Sequence, residues 1–177
     1  RKLILATASE LNKSIDANSL FDNADMLGNN STADWTATAT TINYGDIEVY
    51  HKSFTLEQTQ TDLPNGVYDV VFHGFYRNDG TDKAPVVSAT AKDIVKKNMV
   101  ERQVIVDNEV LMGANETMSG AAQMLTSDMA QTVLSDVVVN NHEMTLSVNV
   151  NSTTQWVNFQ GFDIIYKQPF VTVEIPE

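Results

Sequence analysis

Apolar and polar residues alternate over short runs along most of the chain, and a period of two marks β-strands with one buried face. The run 144–151, MTLSVNVN, is the sharpest case. Met144, Leu146, Val148 and Val150 fall on one face, and Thr145, Ser147, Asn149 and Asn151 on the other. Such a pattern predicts a half-exposed strand of an antiparallel sheet. The run 66–77, GVYDVVFHGFYR, places Tyr68, Val70, Phe72, Gly74 and Tyr76 on one face. Its second face carries Asp69, His73 and Arg77 but also Val71 and Phe75, which predicts a central strand partly covered on both sides. Further strands are predicted at 35–41, 47–60 with a break near Ser53, 86–90, 103–107, 132–139, 157–167 and 170–175.

Turn chemistry separates these runs: LPNG at 63–66, RNDGTD at 77–82 and VNNHE at 139–143. The first reads as a tight hairpin joining 57–60 to 67–68, which sets Ile47 and Arg77 at one shared, opposite end. Helical signals are thin and confined to 10–20, 91–97 and 119–126, while the Asp- and Asn-rich stretch 22–34 reads as a long loop. No heptad, solenoid-length repeat or low-complexity linker interrupts the chain. The expectation is a single all-β domain over 1–177, an antiparallel β-sandwich with one or two short helices.

Bulk properties then narrow the function. The 177 residues suffice for a core that needs neither metal nor disulfide. The absence of cysteine removes thiolate nucleophiles and Cys-ligated zinc. Eleven basic against 23 acidic residues give a net charge of −12 and a pI near 4.5, a field that repels nucleic acid and anionic membranes. No apolar run is long enough to cross a bilayer, so membrane insertion is not expected. Charged residues make up only 19%, whereas Thr, Ser and Asn are abundant, a texture that suits exposed strands and turns. Together with a start at Arg1 and no apolar leader, this reads as a mature or excised piece of a protein placed extracellularly, on a bacterial cell surface or in the periplasm.

Two segments are more specific. One is IEVYHKSFTLEQTQTDLPNGVYDVVFHGFYR at 47–77, and the other runs from MSGAAQML at 118 to WVNFQGFDIIYK ending at 167. Together they resemble the galactose-binding-domain-like jelly-roll sandwiches attached to secreted polysaccharide-degrading proteins, relatives in fold of family 6 and family 35 carbohydrate-binding modules. The resemblance covers 35–167 and leaves 1–34 as an N-terminal extension or loop-rich segment. It implies a jelly roll and a non-catalytic module that holds a larger protein on a poly- or oligosaccharide. One departure stands at Phe159-Gln160-Gly161-Phe162, where the family pattern has Phe-Asp-Asn-Phe, which weakens any inherited calcium or polar role there.

A sugar site needs an aromatic plate for the apolar face of a pyranose and planar polar groups for its hydroxyls. The shared end of the expected hairpin offers Trp35, Tyr44, Glu48, Arg77, Asn78 and Asp79. The plainer reading makes Trp35 and Tyr44 packing residues and lets Arg77 neutralise Glu48. Trp156 and Tyr50 carry the same ambiguity, with packing favoured for Trp156. His51, His73 and His142 have no zinc-ligand spacing and read as satisfied residues. No cofactor is expected; a structural calcium at Asp22, Asp25 and Asp34, with Asp46 and Glu48 nearby, remains open although the EF-hand template fails. No nucleophile elbow or phosphate loop exists, so catalysis is not expected. The alternative to a glycan-binding module is a structural or protein-contacting sandwich, which an exposed apolar face at Val71 and Phe75 would favour.

Overall fold

In the computed structural model, which describes residues 14–26, 31–39, 41–43, 46–102, 125 and 128–169, the alternating runs become strands of two antiparallel sheets. The first sheet has the order β3 (Thr41–Asn43), β4 (Asp46–Tyr50), β11 (Gln155–Pro169), β6 (Gly66–Asn78), β9 (Gln131–Val139), and β1 (Ile15–Asp16) also pairs with β11. The second has the order β2 (Thr36–Ala37), β5 (Phe54–Gln60), β10 (Met144–Val150), β7 (Val86–Thr90), β8 (Ile94–Asn98). The eight strands β4 to β11 thus form two four-stranded layers, β4-β11-β6-β9 facing β5-β10-β7-β8. Nearly every connection crosses from one layer to the other, the β7–β8 hairpin excepted. This order is a jelly roll.

The core lies between the layers. Tyr68, Val70 and Phe72 of β6, Leu56 of β5, Leu146 and Val148 of β10, and Phe159 and Phe162 of β11 are all buried there. Phe159 and Phe162 are three residues apart, an odd spacing that strict alternation would send to opposite faces. A β-bulge between Phe159 and Gly161 inserts the extra residue and returns Phe162 to the core. Gly161 sits at φ +100, and a Cβ there would run into the carbonyl oxygen of Ala24. That carbonyl accepts the Phe162 N–H at 2.8 Å. The glycine is therefore required by the bulge and by the loop laid over it.

Several sequence expectations are corrected or bounded. The 63–66 turn is not a hairpin: β5 belongs to the second sheet and β6 to the first, so the chain changes layers there. The stretch 91–97 is not helical. Ala91 N–H donates to Asp93 O in a turn, and Ile94–Asn98 then pairs along β7, where a backbone ladder replaces what a single helical turn could not stabilise alone. The described part of 10–20 is β1 followed by a 3-10 turn at Asn18–Leu20. Within the segment expected as an N-terminal extension or loop-rich stretch, Ala17, Leu20, Phe21, Ala24 and Met26 are buried in the core. The expected strands at 103–107 and 170–175 lie outside the described residues, as does the 119–126 helix apart from Leu125.

Candidate functional site

The ends of β4, β11 and β6 place Tyr50, Trp156 and Arg77 side by side, because Trp156 is in register with both of the others. All three therefore lie on the outer face of the first sheet, at one rim. Arg77 holds its guanidinium 4.7 Å from the centre of the Trp156 ring. Trp156 in turn meets Phe75 edge-on at 6.0 Å, and both rings are buried. Such stacking covers the indole and fixes the planar cation above it.

Beyond β6 the chain turns back so that Asp79 meets Arg77 through two bonds, Nε to Oδ1 at 2.6 Å and Nη2 to Oδ2 at 2.8 Å. His51 Nε2 reaches Asp79 Oδ2 at 2.8 Å. The Arg77 guanidinium, then the His51 ring, hold the Asp79 carboxyl below its usual value despite partial burial that opposes them. His51 has φ +51, a left-handed turn that brings its ring onto the same side as that of Tyr50. The two rings stack at 3.8 Å and 10°. Tyr50 remains 51% exposed. The result is an open aromatic plate beside a fixed Arg–Asp–His array.

The predicted residues fare differently. Trp35 is 7% exposed, stacked on Phe162 at 5.2 Å, and donates its indole N–H to Asn23 O at 2.9 Å. It is a core residue, and the expectation that it offers a plate to solvent is corrected. Tyr44 lies outside the described residues. Glu48 lies on the same outer face as Tyr50 but opposite Asn158, so Arg77 pairs with Asp79 instead of Glu48. Asn78 braces the loop, accepting Gly80 N–H at 3.3 Å and donating to Asp82 O at 2.8 Å. The structure thus gathers Arg77 and Asp79 and replaces Trp35 by Tyr50 and His51. Sequence reasoning gave His51 no place, and the only signal for it was its position directly after a strand-ending tyrosine.

The remaining histidines are satisfied locally. His73 bonds Asp163 at 2.5 Å, and Asn18 donates to the other carboxylate oxygen at 2.8 Å. His142 Nδ1 meets Leu63 O at 2.8 Å. Among the described residues no three His, Asp or Glu side chains gather as a metal site, and no helix is long and apolar enough to cross a membrane. The calcium-candidate loop is tied by Gln58, whose side chain accepts Asp22 N–H and donates to Asp22 O.

No protein-family model and no curated protein matches the chain. Among solved structures it overlaps a family 61 carbohydrate-binding module in complex with β-1,4-galactotriose, at 13% identity and TM-score 0.48, over 83% of this chain and 97% of that one. It overlaps a family 36 module of a multidomain xylanase from the hindgut metagenome of Trinervitermes trinervoides at 15% identity and TM-score 0.40, covering 86% and 94%. A Clostridium thermocellum xylanase fragment, family 22 module plus catalytic module with xylohexaose, overlaps at 14% identity and TM-score 0.39, covering 86% of this chain and 28% of that one. The jelly-roll assignment stands on the strand order of the chain itself.

Proposed function

We propose that this domain is a non-catalytic carbohydrate-binding module that holds a larger secreted or surface protein on a poly- or oligosaccharide. The observation that carries the reading is the half-exposed Tyr50 ring, backed by His51 and set beside the Arg77–Asp79 pair. An aromatic face covers the C–H side of a pyranose while neighbouring planar polar groups meet its hydroxyls. An open rim buries little ligand area, so binding is weak and depends on repetition along the polymer.

The protein-contacting alternative expects exposed apolar surface at Val71 and Phe75. Phe75 is fully buried, Val71 is half-buried, and the large exposed apolar side chains among the described residues are Tyr50 and Ile94. That pattern favours the glycan reading. The test is migration through gels containing neutral plant and host polysaccharides. Wild type is retarded on at least one of them, and Tyr50→Ala weakens binding about tenfold, the ~1.4 kcal/mol typical of one aromatic anchor. Free migration of the wild type on every polysaccharide would overturn the proposal.

A further inference from the structure

The outer face of the second sheet is a separate surface. Strand register sets Glu57, Ser147, Ser88 and Lys96 in one row across β5, β10, β7 and β8. Above it lies an open groove of about 570 Å³ whose lining includes Lys83, Ser88, Lys96, Ser147, Asn149 and Asn151. The Ser88 and Ser147 hydroxyls pair at 2.6 Å, which leaves each with capacity for a further bond. Asn149 and Asn151 are exposed. Asp82 also borders the groove, but its Oδ2 already accepts the Ser152 and Thr154 hydroxyls at 2.7 and 3.0 Å. No aromatic ring lines it, so stacking on a neutral pyranose is not available here.

Charge points to a different ligand. Residues 82–98 hold four of the chain's 11 basic residues, Lys83, Lys92, Lys96 and Lys97, and two of its 23 acids, Asp82 and Asp93. On a molecule of net charge −12 the groove itself is lined by two of these cations, Lys83 and Lys96, against one acid, Asp82, so a polyanion finds cations to engage there. Lysines on an edge strand also discourage edge-to-edge pairing, which accounts for Lys96 and Lys97 on β8. It does not account for Lys83, which precedes β7, or for the hydroxyl and amide groups facing the groove.

We infer that this face is a second glycan site, specific for an anionic polysaccharide. Lys83 and Lys96 meet carboxylate or sulfate groups, and Ser88, Ser147 and Asn149 meet ring hydroxyls. The site is independent of the Tyr50 rim. Lys97 supplies an internal control, because it is paired with Val87 and so alternates to the other face of β8.

The test compares retention on polygalacturonate, dextran sulfate and a neutral galactan at low and raised salt. Wild type is retained on at least one polyanion at low salt and released as salt rises. Stronger retention on polygalacturonate assigns carboxylate, and stronger retention on dextran sulfate assigns sulfate ester. The double variant Lys83→Gln/Lys96→Gln loses at least tenfold in affinity, whereas Lys97→Gln and Tyr50→Ala retain it. The inference is overturned by no retention on either polyanion, by equal loss in Lys97→Gln, or by a double variant that binds normally. Loss with Tyr50→Ala alone would return the polyanion to the rim site and overturn it as well.

Discussion

Tyr50 and His51 show how one backbone torsion creates a surface. Consecutive strand residues point to opposite sides, yet the left-handed conformation of His51 lays its ring on its neighbour at 3.8 Å. Asp79 then fixes that histidine and Arg77 together. Because the folded state holds the Asp79 carboxyl below its ordinary value, the array contributes stability above that ordinary value and loses it as pH falls through the lowered one. Thermal unfolding of wild type against Asp79→Asn should therefore show the full difference at about pH 6 and convergence toward about pH 2, below the usual carboxylate range. A difference that persists unchanged into acid would contradict this pairing. Trp35 belongs to the opposite class. Its ring is spent on Phe162 and the core, so Trp35→Ala should destabilise the fold by about 3–5 kcal/mol in denaturant titrations. From the sequence alone a tryptophan beside a loop looks the same in either role, and only the stacking partner separates them.

At the scale of elements, alternation was readable and pairing was not. The runs 66–77 and 144–151 became β6 and β10 with the expected faces, because a period of two encodes which side of a strand is buried. The same period says nothing about which strand lies alongside, so β5 and β6 passed for a hairpin although they sit in different sheets. The short run 91–97 misled for a related reason: Ile94 and Val95 among lysines fit one helical turn as well as an edge strand. β11 hides its bulge in the sequence as Gln160-Gly161, and the break in alternation between Phe159 and Phe162 is the trace it leaves. Gly161→Ala forces a side chain into a left-handed position against the Ala24 carbonyl. It should cost about 1–3 kcal/mol, read from the urea midpoint.

For the whole molecule, the jelly roll explains why the rim exists. β4 and β6 both run antiparallel to β11, so their C-terminal ends emerge at the same edge and deliver Tyr50 and Arg77 on either side of Trp156. Arg77 and Asp79 were visible in the sequence as the end of a strand and its following turn. Tyr50 was readable only as an ambiguous aromatic and His51 only as a satisfied histidine, since their place at the rim depends on the long-range partner strand β11. The remaining candidates, Glu48 and Asn78, lie close by, Glu48 on the same face and Asn78 bracing the loop. The most direct measurement is amide chemical-shift mapping on titration with the oligosaccharide of whichever neutral polysaccharide retards the protein. The account predicts shifts concentrated at Tyr50, His51, Arg77 and Asp79, with Trp35 and the core unmoved. Shifts confined to other surfaces, with these four residues silent, would contradict it.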